Sequence, residues 1–302
     1  MLIRCAPTPL APVQLAPQDP IVWCKLDYLN PSGSTKDRIA RFILEKAWRE
    51  GRLRPGDTVA EASSGSTSIA MALAAAQLGL RFIACMPRGV SNERVMIIRA
   101  YGGEIHLTPQ ELGIRGAIAE TERLAAADSR VFLPRQFSNP DNALAHQTGT
   151  AREILDQIPG GNVDAVASGV GTGGTLVGLC RGLAESGCSV TPIFARPVHL
   201  TREMEIECCS FSACIPGVVD AISTIFTPDA LPNVRTVEIR DDDAITATRQ
   251  LIAAGFPVGP SSGLNYLAAL AFAREHPDAA VVTVFCDRME RYFTTELFTP
   301  YR

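Results

Sequence analysis

Short apolar runs alternate with segments whose apolar residues recur every three or four positions, almost from one end of the chain to the other. That alternation predicts an α/β protein with a largely parallel sheet, because each helix carries the chain back to begin another strand in the same direction. Runs at 21–26, 58–62, 81–86, 104–107, 131–133, 163–168, 190–195, 234–239 and 281–285 read as strands. Helices are predicted over 69–78, 92–101, 115–127, 143–158, 176–186, 242–254 and 264–276, with Gly79 and Gly102 as stop signals. A further helix begins near Lys36, where Ala40, Ile43, Leu44, Ala47 and Trp48 keep helical spacing. Residues 197–232 have no clean period.

A chain of 302 residues has room for one large or two ordinary domains and a full core. Its net charge of -4 offers no electrostatic footprint for nucleic acid or an anionic membrane, which leaves small molecules as the expected partners. The longest apolar stretch, 69–80, is broken by Gln77 and Gly79, and no signal-peptide pattern opens the sequence, so a cytoplasmic protein is expected. An odd total of nine cysteines does not suit a disulfide framework. Cys208, Cys209 and Cys214 cluster, but without a CxxC pair, and the four histidines are scattered; no metal site is expected.

The chemistry gathers in segments placed after strands and before helices. The run 30–38, Asn-Pro-Ser-Gly-Ser-Thr-Lys-Asp-Arg, leads straight into a helix, and Lys36 at that helix start suits a reactive amine able to condense with a carbonyl cofactor. Residues 169–175, Gly-Val-Gly-Thr-Gly-Gly-Thr, lie between a strand and a helix. Backbone N–H groups and two threonine hydroxyls there converge as an anion cradle suited to phosphate. Gly169, Gly171 and Gly174 also satisfy GxGxxG, and Arg196 at the end of the next strand could meet a 2′-phosphate, so NADP is a rival ligand. A second hydroxyl loop, Ser63, Ser64, Gly65, Ser66 and Thr67, can hold a carboxylate or simply cap its helix. A third, 259–263, contains Ser261; Gln136 adds an uncharged donor at the end of the strand at 131–133. All lie where an open α/β sheet binds ligands, beyond the carboxyl ends of its strands. The chain lacks GxxxxGK[ST] and HExxH, which weakens ATPase and zinc-hydrolase readings.

Together these segments resemble the cysteine synthase family of fold type II pyridoxal-phosphate enzymes, which includes O-acetylserine sulfhydrylases and cystathionine β-synthases. The resemblance rests on the lysine segment 30–38, the GTGGT at Gly171 to Thr175, the QFxNP at 136–140, Ser261-Ser262-Gly263 and 287–292. It implies two open twisted, mostly parallel sheets flanked by helices, with the cofactor in a crevice between a smaller mobile domain at 39–137 and a larger one at 1–38 plus 138–302. Lys36 would be the Schiff-base lysine and the base at Cα. Gly171, Thr172, Gly173, Gly174 and Thr175 would hold the phosphate of pyridoxal 5′-phosphate, and Ser261 its ring nitrogen. A hydroxyl there makes the ring a weaker electron sink than a carboxylate partner would, which favours loss of a β-substituent over transamination. Ser66 would lie near the ring oxygen, and Ser63, Ser64, Gly65, Thr67 and Gln136 at the substrate carboxylate.

The implied reaction is β-replacement on an activated serine such as O-acetylserine, by sulfide or another nucleophile through an aminoacrylate, in a homodimer that can dock an acetyltransferase tail. The alternative is a β-elimination lyase acting on cysteine or serine. Two positions depart from the family pattern. Ser66 stands where the family has asparagine, in a loop that also resembles that of some cysteine desulfhydrases. Arg196-Pro197 replaces Glu-Pro, and of the following glycine-rich segment only 215–218 is a candidate.

Overall fold

The computed structural model describes residues 6–198, 215, 222–227 and 229–302. Two sheets organise them. The elements in chain order are β1 (Leu10–Val13), β2 (Val22–Lys25), α1 (Lys36–Arg49), β3 (Thr58–Ala62), α2 (Ser66–Leu78), β4 (Arg81–Pro87), α3 (Asn92–Ala100), β5 (Glu104–Thr108), α4 (Gly113–Ala127) and β6 (Val131–Phe132). After these come α5 (Asp141–Ala145), a π-helical turn (His146–Thr150), α6 (Ala151–Gln157), β7 (Ala165–Ser168), α7 (Gly174–Glu185), β8 (Thr191–Val198), β9 (Arg235–Arg240), α8 (Asp241–Ala253), α9 (Pro260–Glu275) and β10 (Val281–Val284).

Among the described residues, six strands form one sheet in the order β1-β2-β10-β7-β8-β9, and four form the other in the order β5-β4-β3-β6. Every pairing is parallel except β1 with β2. The strands of β3, β7 and β10 are buried throughout, as expected for sheets covered by helices on both faces. In the larger sheet, α8 and α9 supply residues such as Leu251, Leu264 and Tyr266 to one core, and α6 and α7 supply Ile154, Leu176 and Leu183 to the opposite one. In the smaller sheet, α1 and α2 pack Ile39, Ile43, Ile69 and Met71 on one face, while α4 covers the other with Ile114 and Ala117.

The predicted strands all form, and among the described residues the one strand not predicted is β1. Its sequence contains Pro12, which a central strand excludes; β1 escapes because it is an edge strand pairing antiparallel on one side only. Helices α2, α7 and α9 begin earlier than their apolar periodicity suggests, at Ser66, Gly174 and Pro260. Hydroxyls, glycines and a proline at the first helical position read as loop, yet each is compatible with a first turn, where the N–H groups need no helical partner. The helix predicted over 143–158 is interrupted by the π turn.

Candidate active site

The segments singled out from the sequence come together around one cavity. It opens at the carboxyl ends of strands from both sheets: Ser63 and Ser64 after β3, Ser168 at the end of β7 with Gly169 next to it, Cys286 and Asp287 after β10. Lys36, Ser63, Ser64, Ser66, Thr67, Gln136, Gly171, Thr172, Gly173, Thr175 and Ser261 all line it. Gly65 and Gly174 do not; both stand behind the wall, where a close approach requires them to be glycine. A Cβ on Gly65, whose φ is +154°, would lie 2.3 Å from Cδ of Arg94, and one on Gly174 would lie 1.9 Å from Oδ1 of Asn142.

Lys36 is the first residue of α1, and the loop before it is folded by Asp37. The Asp37 carboxylate accepts from Ser32 N at 2.9 Å, Ser32 Oγ at 2.6 Å and Ser34 N at 3.3 Å. Two residues after Lys36, the largely buried Arg38 donates to both oxygens of Asp27 at 2.8 Å and both oxygens of Glu153 at 2.8 Å, pinning the start of α1 to the segment after β2 and to α6. Among the described residues, no hydrogen bond or ion pair occupies the Lys36 side chain.

The glycine-rich loop enters α7 through Gly173, a left-handed N-cap that offers no side chain to the first-turn N–H groups. Asn265 of α9 anchors the start of this loop, its Oδ1 accepting from Gly169 N at 2.7 Å. Thr175 Oγ1 lies 3.3 Å from Nε2 of His146, whose Nδ1 is 3.0 Å from Thr150 Oγ1. Burial pushes the His146 pKa down to about 3, so this ring is neutral beside the cradle.

In the loop after β3, Ser63 Oγ accepts from Gly65 N at 2.9 Å and Ser68 N at 3.3 Å, which leaves its own proton free to donate to a ligand. α2 starts at Ser66 without a side-chain cap. Gln136 is held behind this loop: its Oε1 accepts from Thr67 Oγ1 at 2.7 Å and its Nε2 donates to Ala62 O at 2.6 Å. Ser66 Oγ donates to Asp287 Oδ2 at 2.9 Å, an oxygen that also accepts from Tyr292 O–H at 2.8 Å. Ser66 therefore presents lone pairs to the cavity where an asparagine would present an amide.

Sequence reading missed Arg94, Asn265 and Cys286. Arg94, in α3, is buried, donates to Ser64 O at 3.1 Å and lies 5.1 Å from the ring centroid of Tyr292. A cation inside a weakly patterned helix gives no signal in sequence. Cys286 sits beside Ser261, and burial pushes its thiol up to about 11, so it remains a thiol. Arg196 points outward and pairs with Glu238 across β8 and β9 at 3.0 Å, both side chains exposed. Apart from Ile215, the segment 215–218 lies outside the described residues, as do Cys208, Cys209 and Cys214. Among the described residues no group of side chains is arranged for a metal ion, and no helix is long and apolar enough to cross a membrane.

An amine lining the cavity and, among the described residues, without an ion pair, an uncapped helix start under a glycine loop, and donors in a second loop fit one group: a phosphorylated aldehyde. The family described as pyridoxal-phosphate dependent enzyme matches residues 3–287. The chain belongs to this family. Pyridoxal phosphate is thus its cofactor, and the NADP alternative falls. A cysteine synthase B of Escherichia coli is 36% identical to this pyridoxal-phosphate dependent enzyme over 282 residues, 92% of this chain and 88% of that protein. Among solved structures, an O-ureido-L-serine synthase superposes with a TM-score of 0.85 at 34% identity, over 96% of this chain and 92% of the other. A hydrogen sulfide-producing enzyme of Fusobacterium nucleatum superposes with a TM-score of 0.83 at 33% identity, over 92% and 84%.

Two buried groups of this enzyme give its stability opposite pH dependences. Burial raises the Glu61 pKa from about 4.5 to about 8, so its contribution is complete below about pH 4.5 and is lost as pH rises through 8. His146, lowered by burial from about 6.5 to about 3, contributes above about pH 6.5 and loses that contribution as pH falls through 3. The two offset each other between about 4.5 and 6.5. Urea unfolding is expected to show stability falling between pH 6.5 and 8 by up to about 2 kcal/mol, one proton over 1.5 units. Glu61→Gln, which has no such proton, is expected to lack this fall; an equal fall in the variant would refute the assignment.

Proposed function

We propose that this chain catalyses β-replacement on O-acetylserine or a similar activated serine, with sulfide or another nucleophile as acceptor. The observation that carries the reading is the convergence of Lys36, the 169–175 cradle, the 63–67 loop and Ser261 on one cavity. Its relatives include cysteine synthases at about a third identity over nearly the whole chain, which supports the same reaction class.

Each part of the cavity has a task in this reading. The N–H groups of Gly171 to Thr175 and the Thr172 and Thr175 hydroxyls hold the phosphate. Ser261 meets the ring nitrogen with a neutral hydroxyl. When bound, pyridoxal phosphate supplies the electron sink that lets an α-proton and then a β-substituent leave. Lys36 would hold the cofactor through its Nζ, and the same Nζ, as a neutral amine, would take the Cα proton. The Ser63 hydroxyl, the first-turn N–H groups of α2 and the remaining Gln136 amide hydrogen orient the substrate carboxylate. Ser66 sits at the ring oxygen, with Asp287 behind it. Residues 39–137 move as a smaller domain that closes on the carboxylate and excludes water. The same reading carries with it a cytoplasmic homodimer and a cavity able to receive an acetyltransferase tail.

The second reading, a β-elimination lyase, is favoured by the Ser63 to Thr67 loop and by the likeness to a hydrogen sulfide-producing enzyme. One assay separates the two. With O-acetylserine and sulfide, the synthase reading expects cysteine as the main product and little pyruvate. Pyruvate formed equally fast with and without sulfide, and no cysteine, would overturn it in favour of the lyase.

A further inference from the structure

Asn142, the second residue of α5, is buried and does not line the cavity, yet it touches both of the cavity's anion-binding parts. Its Nδ2 donates to the carbonyl of Gln136 at 2.8 Å and to Thr172 Oγ1 at 2.9 Å. The carbonyl can only accept, which fixes which end of the amide is nitrogen. Both amide hydrogens are thereby used. Gly174 N also approaches Thr172 Oγ1, at 3.4 Å. With N–H donors on its oxygen, the Thr172 hydroxyl must send its own proton elsewhere, and Thr172 lines the cavity.

The Gln136 end is fixed as well. Glu61 Oε2 accepts from Gln136 N at 3.2 Å, so the backbone of Gln136 is gripped from both sides, by Glu61 at its N–H and by Asn142 at its carbonyl. A second bridge runs beside the first, since Ser223 Oγ lies 3.0 Å from Phe137 O and 2.6 Å from Thr172 O. Space for Asn142 exists because residue 174 is glycine: a Cβ there would lie 1.9 Å from its Oδ1.

We propose that Asn142 is a positioning residue that makes the Thr172 hydroxyl a dedicated phosphate donor and ties it to Gln136, so that one side chain couples the cofactor's phosphate to the substrate carboxylate. The inference rests on the reading of the cavity given above. It assigns to Asn142 two effects that a purely structural residue would not combine. Loss of its donors weakens cofactor binding through Thr172 alone, and it weakens amino-acid binding through Gln136.

The test is a double-mutant cycle on Asn142→Asp, which keeps the shape and removes both donors, and Thr172→Val. Apoprotein is titrated with pyridoxal phosphate, and KM for O-acetylserine is measured on the cofactor-saturated enzyme. Each single variant is expected to raise the cofactor Kd about tenfold or more, and the double variant to lie within about threefold of the weaker single. Asn142→Asp is expected to raise KM about tenfold as well, without a matching rise in Thr172→Val. If Asn142→Asp does not fold, Asn142→Ser, which reaches at most one of the two acceptors, takes its place in the cycle. Effects that multiply in the double variant, or a cofactor Kd in the Asn142 variant within twofold of wild type, would overturn the proposal. Wild-type apoprotein that fails to bind pyridoxal phosphate would instead overturn the reading of the cavity itself.

Discussion

Lys36→Ala is expected to abolish covalent attachment of pyridoxal phosphate and to lower kcat by roughly 10³-fold or more, since in the proposed function it removes both the anchoring amine and the base at Cα. The structure isolates that effect from folding. Lys36 opens α1 with its side chain on the cavity and, among the described residues, without an ion pair, while Asp37 and Arg38 make the contacts that hold the helix start. Alanine is also a strong helix former. The melting temperature of the variant should therefore stay within a few degrees of wild type. Borohydride treatment followed by peptide mapping checks the anchor directly: wild type should carry the cofactor mass on the peptide containing Lys36, and the variant on no lysine. A reducible link on another lysine, or activity above a tenth of wild type, would remove Lys36 from its role.

Much of this site was legible because its chemistry is written in contiguous segments. A lysine at a turn-to-helix junction, a glycine run after a strand and a row of serines after another strand each carry a local signal. The parallel architecture then brings the carboxyl ends of their strands together. The buried polar residues that brace the site are different in kind. Glu61, Arg94, Asn142 and Asn265 act through contacts between residues 30 or more positions apart, and nothing in their neighbours along the chain marks them. Buried polar residues of this sort must be hydrogen-bonded, but a sequence does not say to what. The same limit applies to the starts of α2, α7 and α9. Their hydroxyls and glycines look like loop, and only the geometry shows them as first turns at the rim of the cavity. Ser66 changed its meaning in the same way. In sequence it is an asparagine replaced; in the fold it is bonded to Asp287, a residue 221 positions away.

Arg38→Ala is expected to cost about 3–5 kcal/mol, because it removes one partner of a buried ion pair and leaves the other uncompensated. Arg38 bonds Asp27 and Glu153, and also donates to Thr8 Oγ1 at 3.0 Å, while the Asp27 side chain has no exposure to solvent. Burial works to raise the Asp27 pKa, and the Arg38 guanidinium overrides it, holding the carboxyl at about 2. With the folded pKa below the ordinary value of about 3.8, this carboxylate contributes stability above pH 4 that is lost as pH falls toward 2. Without Arg38 the sign reverses, since burial alone then favours the protonated acid. The gap between wild type and Arg38→Ala should accordingly be widest near pH 7 and narrow by pH 4. Adding Asp27→Asn to Arg38→Ala should recover part of the loss by removing the stranded charge. Urea unfolding of the three proteins at pH 7, 5 and 4 measures all of this, and a loss below 1 kcal/mol, or one that does not change with pH, would show the network to be dispensable. Because Glu153 keeps its 2.8 Å pair with Lys25, the loss centres on Asp27 and the start of α1. Lys36 sits on that same first turn, so kcat should fall along with stability in Arg38→Ala and return with it in the double variant.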